Sequence, residues 1–116
     1  MRINKIGVVH DKILDKNKIL MVEGVYNVLS KRFDVIKIPF DEKFFENIKK
    51  VDFVFNLSTS GGKEGRQIHV PAILDLLNIP FTGSTAFVHT LCLDKFITKL
   101  ILSFYGISTP NFFLVK

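Results

Sequence analysis

The chain has 116 residues, of which 47% are hydrophobic and 23% charged, and its formal net charge is +5. This composition excludes a disordered tail, and the length suits one domain with one packed core. The longest apolar runs are interrupted well before the ~18 residues of a membrane span, and the start does not lead into a signal-peptide pattern. We therefore expect a soluble cytoplasmic protein without a membrane partner, and the single Cys92 agrees because it cannot form an internal disulfide.

The basic excess does not predict nucleic-acid binding. Most lysines are scattered singly among aspartates and glutamates, with no basic stripe and no aromatic ladder between them. A nucleic-acid binder driven by charge would have an affinity that falls steeply with salt. We expect no nucleic-acid partner.

The first fifty residues predict two strands, each followed by a helix. Residues 3–9 form a short apolar run that is typical of a buried strand, and His10 follows it. Apolar residues spaced by three and four then predict a helix over 19–33. A second strand over 35–38 is ended by Pro39, which cannot donate to a ladder, and 41–49 suits a short helix.

The middle of the chain predicts a strand that is followed by a glycine-rich loop. The strand covers 51–56, and the loop carries Gly61, Gly62 and Gly65. A helix follows from about Arg66 to 77, since Pro71 is tolerated in a first turn. The loop could cradle an anionic group or simply connect strand to helix, and the residue types favour neither. Arg66 could hold a carboxylate or phosphate, or be a solvated surface side chain.

The last third predicts alternating short elements. A fourth strand covers 79–82, and Ser84 caps a helix that runs to about residue 91. Asp94 caps the next helix, which ends at Gly106. A further strand covers 111–116. Histidines lie too far apart for a metal site, and no nucleophile triad or paired carboxylates emerge.

The alternation of strands and helices predicts the fold class. We expect an α/β, doubly wound, mostly parallel four-stranded sheet with helices on both faces, a three-layer α/β/α sandwich. In such sheets, ligands bind outside the carboxyl ends of the strands, where the strand order reverses. His10, the loop at 56–66 and residues 83–84 all lie at that edge.

Several motifs together resemble one known family. They are Val-Phe-Asn-Leu at 54–57, Gly61-Gly62, Arg66, Val-Pro-Ala-Ile-Leu at 70–74, Asn-Ile-Pro-Phe-Thr-Gly-Ser at 78–84 and Leu-Asp-Lys at 93–95. This set resembles the N-terminal, Rossmann-like preATP-grasp domain of the D-alanine–D-alanine ligase family in the ATP-grasp superfamily. The likeness covers about residues 51–116, and the first fifty residues resemble the family in topology alone.

The resemblance implies an ATP-dependent ligase of the peptidoglycan-precursor type. In that family, ATP phosphorylates the carboxylate of one D-alanine, and the amine of a second attacks the acyl phosphate, with magnesium neutralising the phosphates. Residues 1–110 would be the preATP-grasp domain and 111–116 the start of an ATP-grasp domain. ATP and Mg²⁺ would bind the full-length parent, and we expect no cofactor and no ligase activity in this chain alone.

The resemblance also implies site residues. Lys95 matches a lysine that contacts ATP phosphates, and no residue is assigned a catalytic or metal-binding role. The residues that would line the amino-acid substrate are His10, Lys16, Ser58, Thr59, Gly61, Gly62, Arg66 and Ser84.

Two departures from the family leave alternatives open. Lys16 stands where the family has a glutamate that binds the substrate ammonium, and Ser58-Thr59 replaces a His-Gly pair. A ligase for another amino acid or carboxylate is one alternative, and a free-standing flavodoxin-like module that binds an anion or a protein is another. Association into a homodimer through Phe112–Leu114 is also expected.

Overall fold

The computed structural model describes residues 2–59 and 67–115. This part contains three strands and five helices. In chain order they are β1 (Lys5–Asp11), α1 (Lys16–Leu29), β2 (Asp34–Phe40), α2 (Phe44–Ile48), β3 (Phe53–Asn56), α3 (His69–Leu76), α4 (Ala86–Leu93) and α5 (Lys95–Phe104).

The strands form a parallel sheet in the order β2-β1-β3. The prediction of a four-stranded sheet was wrong, because the fourth segment contributes a single bridge between Val54 and Phe81. Asn78 and Gly83 have positive φ angles of 54° and 104°, so the backbone turns at both ends of residues 79–82. The segment is therefore too short to extend the ladder.

Helices cover both faces of the sheet, which confirms the three-layer α/β/α architecture. On one face, Val22 of α1 packs with Ile6 and Val8 of β1. On the other face, α2 and α3 bury Phe44 and Leu74 against the sheet. The two faces use alternate residues of the same central strand, as the two-residue period of a strand dictates.

Gly7 explains how closely the second face packs. A Cβ atom at this position would lie 2.8 Å from Cδ1 of Ile38 and 3.3 Å from Cγ2 of Val51. The missing side chain therefore lets Ile38 lie directly against the central strand.

The prediction that Pro39 ends the second strand was wrong. The strand continues to Phe40, with Pro39 opposite His10 of β1. In the described part of the chain, β2 pairs with β1 alone. An edge strand tolerates proline because the missing amide can lie on the unpaired side.

The ends of the later helices agree only partly with the sequence patterns. The described part of α3 begins at His69, so Pro71 lies in its first turn, while the predicted start at Arg66 falls outside the described residues. Thr85, not Ser84, caps α4 by accepting from the Val88 amide. Asp94 caps α5 as predicted, accepting from the Phe96 and Ile97 amides at 2.9 and 3.0 Å.

The glycine predicted to end α5 lies just after its C-cap, Tyr105. Gly106 has φ +70°, and the amides of Gly106 and Ile107 donate to the carbonyls of Ser103 and Leu102. This paired arrangement is the Schellman motif, which favours glycine because of its left-handed backbone.

The strand predicted over 111–116 is absent from the part of it that the structure describes. Residues 111–115 have no regular secondary structure. None of the helices within 2–59 and 67–115 is long and apolar enough to cross a membrane.

Candidate functional site

The strand order places a switch point between β1 and β3. From β1 the chain crosses to β2 on one side, and the next strand, β3, pairs with β1 on the other side. Connections that leave in opposite directions open a crevice at the carboxyl ends of the strands, where ligands bind in doubly wound sheets. Here β1 ends at Asp11 and β3 ends at Asn56.

Asp11 is the centre of a polar cluster in this crevice. Its side chain is 2% exposed. Oδ1 accepts from Ser58 Oγ and from the Thr59 amide, both at 2.8 Å. Oδ2 accepts from Thr59 Oγ1 at 3.2 Å and from Lys18 Nζ at 2.8 Å. The carboxylate therefore joins the end of β1 to the start of the loop after β3.

Lys18 reaches the cluster from the first turn of α1. Asp15 caps this helix by accepting from the Lys18 amide at 2.9 Å. The Lys18 ammonium donates to Asp11 and also to Thr59 Oγ1 at 2.8 Å. We name the set Asp11, Lys18, Ser58 and Thr59 the switch-point cluster.

The cluster holds two predicted site residues in fixed positions. Ser58 is buried, and its hydroxyl donates to Asp11. The Thr59 amide donates to Asp11, and the Thr59 hydroxyl accepts from Lys18. Because their hydroxyls bond within the protein, these residues fix the entry of the loop rather than present free nucleophiles.

Three other predicted residues lie around the same edge with different exposure. His10 is half-buried, and its Nδ1 donates to the Asp11 carbonyl at 2.8 Å. Lys16 is exposed at the first position of α1. Ser84 is exposed just beyond the bridged segment, whose Thr82 Oγ1 accepts from the Asn56 amide at 3.0 Å. Gly61, Gly62 and Arg66 lie outside the described residues.

A second charged pair joins the segments that follow β1 and β2. The Lys12 ammonium donates to the Glu42 carboxylate, and both side chains are exposed. This hydrogen bond raises the pKa of Lys12 and lowers the pKa of Glu42. Lys12 is thus paired, whereas the exposed Lys16 adds positive charge at the same end of β1 and α1.

Lys95 lies apart, at the start of α5. It is exposed and lines a shallow cleft with Phe96, Lys99 and Phe112. The Lys99 ammonium lies 5.3 Å from the centre of the Phe112 ring and 3.4 Å from the Pro110 carbonyl oxygen. Two lysines one helical turn apart make this face of α5 attractive to an anionic group.

Sequence reasoning missed Asp11 and Lys18 as members of the site. The sequence pattern that could have indicated them is an aspartate, Asp11, at the end of an apolar strand with a lysine, Lys18, seven residues later. No group of three or more His, Cys, Asp or Glu side chains within 2–59 and 67–115 could hold a metal ion.

Comparison with known proteins gives a consistent relationship. The chain is 32% identical over 111 residues to a D-alanine–D-alanine ligase of Carboxydothermus hydrogenoformans, covering 93% of the chain and 36% of that protein. It is 33% identical over 117 aligned positions to a D-alanine–D-alanine ligase of Clostridium perfringens, covering 97% of the chain and 38% of that protein. No family model matches the sequence.

Comparison with solved structures identifies the same family of proteins. The crystal structure of the D-alanine–D-alanine ligase from Bacillus anthracis superposes with a TM-score of 0.78 at 29% identity, covering 93% of the chain and 36% of that structure. A crystal structure of the Bacillus anthracis ligase in complex with ATP gives a TM-score of 0.73 at 27% identity. The chain thus spans little more than a third of the length of these relatives.

The likeness extends further than the sequence motifs indicated. A match over 93% of the chain includes most of the first fifty residues, for which the motifs indicated a likeness in topology alone. β1, α1 and the switch-point cluster therefore lie in or beside the related region.

Proposed function

The chain corresponds in sequence and fold to the N-terminal region of the D-alanine–D-alanine ligase family, and from this relationship we propose that it forms one wall of the substrate site of such a ligase. The observation that carries the proposal is the match over 93% of the chain in both sequence and fold. The β1/β3 switch point is the place where this fold type binds ligands.

The proposed reaction joins two amino acids through an activated carboxylate. Transfer of a phosphoryl group from ATP to the carboxylate of the first amino acid forms an acyl phosphate and ADP. The amine of the second amino acid then attacks the acyl carbon, an amide bond forms, and phosphate leaves. Catalysis of this kind depends on positioning and on electrostatic stabilisation of the phosphates, to which Mg²⁺ contributes in the full-length ligase.

In this proposal the switch-point cluster supports the substrate wall. Asp11 and Lys18 hold Ser58 and Thr59, which fixes the start of the loop that leads to Gly61, Gly62 and Arg66. His10, Lys16 and Ser84 surround this crevice, and we propose that they complete the wall. The fixed loop entry would reduce the entropy lost when substrate binds.

We propose that Lys95 contributes to phosphate binding. It is exposed at the start of α5, and the Lys99 side chain lies one turn further along the same helix. We also propose that residues 111–116 lead into the ATP-grasp domain. The remaining ATP ligands would belong to that domain, so the isolated chain would release no ADP.

We further propose that the ligase is cytoplasmic and that isolated chains associate as dimers. Phe113 is 85% exposed and Leu114 60% exposed at the end of the chain. Apolar side chains in adjacent positions favour association in water. Light scattering should detect dimers at high protein concentration, and a monomer under those conditions would contradict the dimer.

The function is tested by an assay of ADP release. The full-length protein that carries this chain should release ADP when ATP and Mg²⁺ are supplied with one member of a panel of D-amino acids. The isolated chain should release none with the same panel. ADP release from the isolated chain would overturn its assignment as an inactive part, and a full-length protein inactive with every amino acid would favour a binding module.

A further inference from the structure

The fold holds the ammonium of Lys18 at the β1/β3 switch point. Its ammonium lies 2.8 Å from Asp11 Oδ2 and 2.8 Å from Thr59 Oγ1. An ammonium has three N–H donors, and these contacts use two. Within residues 2–59 and 67–115, no third acceptor binds this ammonium. The side chain is 30% exposed, so Lys18 is partly open to solvent and keeps one N–H for a further acceptor.

The two charges of the Asp11–Lys18 pair differ in their access to solvent. Asp11 is 2% exposed, and its carboxylate is turned inward to Ser58 and Thr59. Lys18 is the partly exposed member of the pair, so the crevice side of the pair is cationic. Because two fixed acceptors hold the ammonium, its position does not have to be ordered when a ligand arrives.

A second lysine lies at the start of the same helix, beside the capping Asp15 carboxylate. Lys16 is exposed one position after the Asp15 cap of the same helix. An ammonium ligand would meet like charge here, whereas a carboxylate would form a charge-assisted hydrogen bond with Lys18.

We propose that Lys18 is a specificity-determining residue that receives the carboxylate of the small-molecule substrate through its third N–H. Asp11 and Thr59 are positioning residues in this arrangement, because they hold the ammonium in place. The amino-acid nature of that substrate rests on the proposed function. The direct recognition of a carboxylate by Lys18 rests on the geometry of the crevice.

The test separates the two charged groups of an amino acid. Propanoate has the carboxylate of alanine without its amine, and ethylamine has the amine without the carboxylate. Each is titrated into the ¹⁵N-labelled chain without ATP, and the amide signals of Lys18, Ser58 and Thr59 are followed by NMR. Propanoate should shift these signals in a saturable manner, and ethylamine should leave them unchanged.

Variants assign the response to Lys18. Lys18→Met should weaken propanoate binding at least tenfold, while Lys31→Met, which removes an exposed lysine beyond the opposite end of α1, should leave it unchanged. Since Lys18→Met removes the Lys18 ammonium from the buried Asp11 carboxylate, the double variant Asp11→Asn with Lys18→Met removes both charges of this pair. It should keep a dispersed amide spectrum and lose the propanoate response.

Several results would overturn the inference. They are an unchanged propanoate response in the folded double variant, a stronger response to ethylamine than to propanoate, and no propanoate response in the folded wild-type chain. Because no ATP is present, these outcomes do not depend on ligase activity. Propanoate binding through Lys18 in a protein that never releases ADP would refute the proposed function alone.

Discussion

Two regions of the molecule differ in how much of their apolar surface is buried. The sheet body, which we define as β1–β3 with α1–α3, contains two buried apolar clusters on opposite faces of the sheet. The helical arm, defined as α4 and α5, has no buried residue in either helix. The chain measures 47 × 33 × 25 Å with a radius of gyration of 16.6 Å, against about 13 Å for a compact domain of this length.

The difference shows which interactions define each region. The sheet body is held by burial, whereas the arm is defined locally by its caps, Thr85, Asp94 and Gly106. Large apolar side chains of the arm remain open to solvent, with Phe87 71% and Phe104 84% exposed. Substitutions in the two regions should therefore have unequal effects on stability.

The largest difference is expected between two matched phenylalanine substitutions. Phe44 of α2 is fully buried and meets Phe40 edge to face, with 4.9 Å between the ring centres. Phe44→Ala should lower the free energy of unfolding by about 3–5 kcal/mol, because it removes buried area and leaves a cavity. Phe104→Ala, on the arm, should change it by less than about 0.5 kcal/mol.

Urea unfolding followed by circular dichroism measures both values. Equal losses for Phe44→Ala and Phe104→Ala would show that the arm is packed as tightly as the sheet body. That result would contradict the division of the molecule into two regions.

The next effect concerns the switch-point cluster. Asp11→Ala should cost about 3 kcal/mol, because it leaves the Lys18 ammonium and the Ser58 hydroxyl without their carboxylate acceptor. The matched control is Asp34→Ala, which breaks the exposed ion pair with Lys5, of 3.2 Å, and should cost at most about 1 kcal/mol. If urea unfolding gave the same small loss for both, the cluster would not stabilise the sheet body.

A smaller, local effect is expected at the cap of α5. Asp94→Ala removes the acceptor of the Phe96 and Ile97 amides and should destabilise the helix by about 1 kcal/mol. Asp94→Asn keeps an effective cap and serves as the control. Hydrogen exchange should accelerate in α5 of the alanine variant and remain unchanged in β1. Equal acceleration in both elements would mean that arm and sheet body unfold together.

The smallest effect is a dependence of stability on pH at Asp52. Its carboxylate accepts from the amides of Lys5 and Asn4 at 2.9 and 3.1 Å, and these bonds lower the pKa of Asp52 below the usual 3.8. Folding therefore favours the carboxylate, so its contribution is present above pH 3.8 and is lost as the pH falls through the folded pKa.

The variant Asp52→Asn isolates this contribution. It should reduce the loss of stability below pH 4 and leave the remaining acid dependence in place. Urea unfolding of wild type and variant at several acidic pH values measures the slope. An identical slope in both proteins would contradict the role of Asp52 in anchoring the start of β1.

The sequence predicted most of what depends on neighbouring residues. The apolar run at 3–9, the periodicity after Ile19 and the cap at Asp94 each correspond to an observed element. The predictions were wrong where the structure of a segment depends on residues far away in the sequence. Pro39 is tolerated because β2 lies at the sheet edge, and 79–82 forms one bridge because the backbone turns at Asn78 and Gly83.

The position of the candidate site at one edge of the sheet was predictable from the sequence, and its central contact was not. The edge that holds His10, Ser58 and Thr59 followed from strand and helix alternation. The Asp11–Ser58 hydrogen bond joins residues 47 positions apart, so no local pattern indicates it. Lys18 joins this contact through the direction of its side chain from α1, which periodicity does not specify.

The most direct measurement of the central claim is ADP release by a chimera. This chain replaces the matching 36% of the Bacillus anthracis ligase, and the rest of that ligase without its N-terminal region is the control. If the chain forms a substrate wall, the chimera should release ADP with at least one D-amino acid, at a rate well above the control. A folded chimera that releases no more ADP than the control with any amino acid would contradict the account.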